Sequence, residues 1–143
     1  MRNRIRSLHW LVPVLACLMI LAGCGKDSRR RGIDGTVTLD GAPLAIGYIS
    51  FRPKLGSPGP TAGAEIIDGK YSIAPQGGTF VGKFRVEITA SRPSGNKVPD
   101  RFTGKLVEGY VQYLPTRYND QSELTAEVQA KGENQFAFTL ESK

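Results

Sequence analysis

From residue 25 to residue 143 the chain contains no histidine, no tryptophan and no cysteine. The single histidine, His9, the single tryptophan, Trp10, and both cysteines, Cys17 and Cys24, fall within the first 24 residues. Each absence removes a class of chemistry from the long remainder. Without paired thiols there is no intrachain disulfide framework. Without an imidazole or a thiolate there is no Ser-His-Asp or Cys-His nucleophilic catalysis. The usual zinc sites lose their ligands for the same reason. Carboxylates, lysines, tyrosines and hydroxyls remain, and no spacing among them forms a catalytic motif. Asp34, Asp40, Asp68 and Asp120 lack the spacing of a calcium loop. No catalytic residue, metal or cofactor is therefore expected. Helical periodicity is scarce as well. Leu106, Val107, Tyr110, Val111 and Leu114 would share a helix face, but Gly109 sits among them and costs ~1 kcal/mol relative to alanine. That segment is expected to be extended or irregular.

What is present begins with the N-terminal end. Arg2, Arg4 and Arg6 precede an uncharged apolar run from Leu11 to Leu21, and Ala22, Gly23 and Cys24 follow it. A short charged end, an apolar segment and small residues form the layout of a secretory signal. The run is roughly half the ~20 residues that a membrane-spanning helix needs. Leu21-Ala22-Gly23-Cys24 resembles the lipobox of bacterial lipoproteins. The resemblance implies cleavage between Gly23 and Cys24, with the Cys24 thiol carrying a diacylglycerol and its new amino group acylated. Ordinary secretion, with Cys24 incidental, is the alternative. Two or more acyl chains give firm attachment where one is marginal. In the well-studied two-membrane bacteria an aspartate after the cysteine retains a lipoprotein at the inner membrane. Gly25 stands there instead, so that resemblance favours the outer membrane of the cell envelope.

The formal charge of +6 is misleading about partners. Three basic residues belong to the signal, and Lys26, Arg29, Arg30 and Arg31 stand against Asp27 in the segment after it. From Gly32 onward twelve basic residues face twelve acidic ones. A neutral exported body lacks the electrostatic footprint of a nucleic-acid binder. The basic excess lies beside the expected lipid, where it either attracts anionic head groups or forms a solvated stalk. The expected organisation is a signal over 1–23, a lipidated cysteine and basic tether over 24–31, and one domain over 32–143, which is an ordinary domain length.

Within that domain the apolar period is two. Ile33, Gly35, Val37 and Leu39 alternate with polar residues, as do Ile49 and Phe51, then Phe84, Val86, Ile88 and Ala90. Leu124 to Ala130 and Phe136 to Leu140 repeat the pattern. This is the signal of half-buried strands. Asp40-Gly41 turns the chain, and Asp68-Gly69 between Ala64–Ile67 and Lys70–Ile73 is a strong hairpin signal. The expected fold is all-β, an antiparallel Greek-key β-sandwich of about seven strands.

"GTVTLDGAPLAIGYISF" (35–51), "IIDGKYSI" (66–73) and "VGKFRVEI" (81–88) resemble transthyretin-like, carboxypeptidase-regulatory-like domains. "LPTRYND" (114–120) and "GENQFAFTL" (132–140) resemble the tail of small bacterial lipoproteins that carry this domain. Val81 departs from the pattern, which often has a proline there. The resemblance implies a sandwich that serves as a rigid accessory module rather than as an enzyme. One transthyretin relative hydrolyses 5-hydroxyisourate with histidines and a Tyr-Arg-Gly-Ser ending. This chain ends Leu-Glu-Ser-Lys and has no histidine after His9, so that activity is not expected.

The expected function is a lipid-anchored, non-catalytic envelope module with a structural or protein-interaction role. The alternative is binding of envelope glycans or small ligands, with Tyr48, Tyr110, Tyr113 and Tyr118 as aromatic platforms. Residues 91–123 lie between two clearly patterned strands, and long connections are often functional. Arg92, Lys97, Arg101, Lys105, Tyr110 and Tyr113 in it are the candidate partner surface, since arginine and tyrosine are enriched at binding hot spots. Tyr118 is expected to plug the end of the sandwich.

Overall fold

The computed structural model describes residues 29–143. The expected signal, the expected cleavage between Gly23 and Cys24 and the expected lipidation at Cys24 lie outside the described residues. The described chain is all-β, with ten strands and two short 3-10 turns at 75–77 and 116–118. The strands are β1 (Ile33–Leu39), β2 (Ala42–Pro43), β3 (Ile46–Pro53), β4 (Ala62–Ile67), β5 (Lys70–Ile73), β6 (Gly82–Thr89), β7 (Ser91–Pro99), β8 (Leu106–Gln112), β9 (Thr125–Val128) and β10 (Gln135–Leu140). Among the described residues no helix is long and apolar enough to cross a membrane.

Seven strands form one path in the order β10-β1-β5-β4-β3-β6-β9, with β2 added beside β1. β4 and β5 are paired only at Ile67 and Lys70, so the sheet folds over at that corner. Its two parts face each other as a sandwich-like, curled sheet. Phe51 of β3 bridges them, with its ring centroid 6.0 Å from that of Tyr71 on β5 and 6.1 Å from that of Phe136 on β10. The period-two positions fill the space between. Ile33, Val37, Ile49, Phe51, Phe84, Val86, Ile88, Val128 and Leu140 are buried.

Local chemistry sets the corners. Asp40 and Gly41 have φ of 52° and 84°, and Asp68 and Gly69 have 49° and 72°. Two consecutive positive φ values define the tight hairpin turn whose twist suits the flanking strands, and Asp-Gly tolerates it. Most ladders are antiparallel, but β1 and β10 pair in parallel, with Asp34 opposite Gln135 and Leu39 opposite Leu140. The uniformly antiparallel arrangement expected from the sequence is corrected there. Alternation fixes which face a strand buries and leaves its neighbour's direction open.

The registers also fix the two ends of the sandwich. Ile33 lies beside Ile73, Gly82 beside Val128, and Asp34 beside Gln135. These mark the near end, where the chain enters. Arg31 donates its backbone N–H to the Thr79 carbonyl at 2.7 Å. Arg30 donates from its guanidinium to the Gln76 and Gly78 carbonyls at 3.2 and 3.1 Å, and the Arg29 guanidinium lies 4.7 Å from the Phe80 ring centroid. Gly78 permits this docking, since a Cβ there would fall on the Arg31 carbonyl oxygen. Residues 29–31, expected as the end of a free tether, are therefore part of the body. At the far end lie Leu39, Ile46 and Thr89.

Candidate functional site: an exposed hairpin

β6 leaves the body at Thr89, at the far end. After buried Ala90 the chain runs out along β7 and returns along β8. These two strands pair only with each other. Side chains rather than extra strands fix the root of this hairpin. The Gln112 side-chain oxygen accepts from the backbone N–H groups of Ala90 and Leu114 at 3.0 and 3.1 Å. Tyr113 N–H bonds the Ala90 carbonyl at 3.1 Å, and the Arg92 guanidinium sits 5.5 Å from the Tyr113 ring centroid.

The tip is a turn organised by Asp100. One carboxylate oxygen accepts from the Thr103 hydroxyl and backbone N–H, both at 2.7 Å, and from the Phe102 N–H at 3.2 Å. The bonds from Thr103 hold the carboxyl below its ordinary range, the hydroxyl first and the backbone N–H next. Gly104, with φ of 69°, lets the chain turn back. Midway, the register shifts between Pro93 and Lys97. The bulge folds Ser94 and Asn96 over Gly109, the hairpin's single buried residue, where a Cβ would stand 2.7 Å from the Ser94 hydroxyl.

Everything else on β7 and β8 is exposed. Residues opposite one another share a face. Arg92, Val98, Val107 and Val111 fall on one side. Pro93, Lys97, Pro99, Leu106, Glu108 and Tyr110 fall on the other. Phe102 at the tip is 92% exposed, Tyr110 68% and Leu106 64%. A patch of this kind on an isolated ribbon is the ordinary mark of an interaction surface. The two outer edges differ. β7 carries Pro93, Pro99 and Lys97, which discourage strand addition. β8 carries no proline and one charge, Glu108, so its edge is open.

Arg92, Lys97, Arg101, Lys105 and Tyr110, singled out in the sequence, all lie on this hairpin, and Tyr113 stands half-buried at its root. Tyr118 is buried, and its hydroxyl accepts from the Glu141 N–H at 3.0 Å. The tyrosines considered for a sugar platform do not converge. Tyr48 lies on β3, Tyr110 on the hairpin, and Tyr118 in the core. An open depression of about 560 Å³ on the outer face of β1, β4 and β5, lined in part by Asp34, Glu65, Lys70 and Gln135, contains none of the four. Sequence reasoning missed the apolar members of the surface, Val98, Phe102, Leu106, Val107 and Val111. For Leu106, Val107 and Val111 the available signal was the adjacent apolar pairs Leu106-Val107 and Tyr110-Val111, which put an apolar side chain on each face of a two-stranded ribbon.

The chain matches no family model, no curated protein and no solved structure.

Proposed function

We propose that the protein is a lipid-anchored, non-catalytic module of the cell envelope that binds a protein partner through the β7–β8 hairpin. The observation that carries this reading is a hairpin that pairs only with itself and exposes Val98, Phe102, Leu106, Val107, Tyr110 and Val111 over its two faces and tip. The lipobox-like ending at Cys24 and the resemblance to transthyretin-like accessory domains support the setting. The open edge of β8 favours a partner that adds an extended segment alongside it, with main-chain hydrogen bonds giving affinity and alternate side chains giving selectivity. Phe102, Leu106 and Tyr110 are the anchors, and Arg101 and Lys105 at the tip select an acidic rim.

Crosslinking in the native envelope tests this, comparing wild type with a Phe102→Ser, Leu106→Ser, Tyr110→Ser variant. Exposed positions tolerate such changes to within about 0.5 kcal/mol each. The expected result is a nearly unchanged melt and loss of the crosslinked partner. Persistence of the same crosslinks at wild-type level overturns the hairpin as the contact. Cys24→Ser tests the setting separately and should release the chain from membranes or leave it unprocessed.

A further inference from the structure

The end of the sandwich where the chain enters has a composition of its own. β3 finishes there, and the 54–61 loop follows, with Leu55 fully exposed at its tip. Lys54 N–H bonds the Lys83 carbonyl at 3.0 Å, and Lys83 N–H bonds the Ser57 hydroxyl at 2.9 Å, so the loop is fastened to the start of β6. The connection from Val128 to Gln135 closes at the same end and carries Lys131. Val81 is also exposed there. Basic residues at this end are Arg29, Arg30, Arg31, Lys54, Lys83 and Lys131, against Asp34, Glu127 and Glu133. The far end is balanced, with Lys70, Arg117 and Lys143 against Asp40, Asp68 and Glu141.

Chain length adds a geometric constraint. Docking of the entering chain begins at Arg29, and Cys24 is five residues earlier. At most ~3.5 Å per residue, this segment spans about 18 Å. A lipid on Cys24 therefore cannot leave the near end far from the bilayer. Gly82 to Thr89 of β6 then extends roughly 24 Å at ~3.4 Å per residue, and the hairpin departs from its distal end.

We propose that the near end, through Lys54, Leu55, Lys83 and Lys131, rests on an anionic phospholipid surface and so holds the β7–β8 hairpin on the side away from the membrane. This rests on the lipid-anchored reading above. Cations near an anionic head-group layer are attracted to it, and an apolar residue among them enters the interface. Lipid anchoring supplies attachment; the lysine-bearing end supplies orientation.

The test uses the full chain, processed in cells, purified in detergent and reconstituted into vesicles of about one third phosphatidylglycerol in phosphatidylcholine. An environment-sensitive probe is attached at Leu55→Cys or, separately, at Phe102→Cys, and quenched by spin-labelled lipid. The expected result is quenching at 55 several-fold stronger than at 102. Lys54→Ser with Lys83→Ser should shift the docked-to-lifted ratio by about fivefold per cation removed. Salt at about 1 M, where the screening length is ~3 Å, should act in the same direction. In both cases the protein stays on the vesicles. Equal quenching at the two positions, or stronger quenching at 102, with the protein attached, overturns the orientation alone. A processed chain that carries no lipid and does not attach overturns the anchoring reading and the orientation with it.

Discussion

At the scale of single residues, the tightest constraint is the crossing of Gly35, Tyr71 and Phe136. The Tyr71 hydroxyl donates to the Phe136 carbonyl at 2.9 Å. It reaches that oxygen across Gly35, where a Cβ would fall on the same carbonyl. Gly35→Ala should therefore cost about 3 kcal/mol, at the upper end for overpacking, visible as a lowered denaturant midpoint. Tyr71→Phe leaves the carbonyl without its partner and should cost about 1–2 kcal/mol. Burial, and then the nearby Asp34 charge, push the Tyr71 hydroxyl well above the ordinary value of 10.0. A raised value means that the folded chain keeps a proton the unfolded chain gives up. Its contribution is thus present below about pH 10 and is lost as pH rises beyond it. Wild type should lose stability steeply above that pH, and Tyr71→Phe should flatten the slope. An equal slope in both proteins would mean that another group controls the alkaline limb.

At the scale of elements, the contrast is between strands that bury a face and the hairpin that buries none. A two-stranded ribbon alone is marginally stable in water, and this one is attached mainly through Gln112, Tyr113 and Ala90. Amides of β7 and β8 should exchange with solvent orders of magnitude faster than those of β1, β3 and β6, because local opening there leaves the core intact. Hydrogen exchange followed by mass spectrometry checks this, and protection of 91–112 equal to the core would contradict it. The same contrast explains what could be read from the sequence. Lys70–Ile73 reads directly, and β1, β6 and β10 read nearly so, because one face is apolar and Asp-Gly marks the turns. β7 does not, because Pro93, Gly95 and Pro99 look like a loop and no buried face imposes alternation. β8 is legible only as something other than a helix, through Gly109. Arg92, Lys97, Arg101 and Lys105 were legible as a charged cluster, whereas Leu106, Val107 and Val111 were legible only as part of an extended or irregular segment.

At the scale of the whole molecule, the last strand closes the fold. β10 contributes buried Phe138 and Leu140, and its whole length pairs with Asp34 to Leu39 of β1. Loss of residues 135–143 removes two buried side chains, each worth roughly 2–5 kcal/mol, together with the edge of the sheet. That sum is comparable to the entire stability of a small domain. The truncated chain should show no cooperative melt, whereas replacing residues 92–111 by a short flexible link should leave one. A cooperative melt in the first variant would contradict the role given to β10.

The pairing of first strand with last has a consequence in time. A chain grows from its amino end, so β1 is made early and then waits while roughly a hundred further residues are added before its partner exists. Contacts that span so much sequence form late. Until then the growing polypeptide has no complete sandwich, and the edge of β1 that β10 will cover stays open. Completion of the fold is thereby tied to the synthesis of β10.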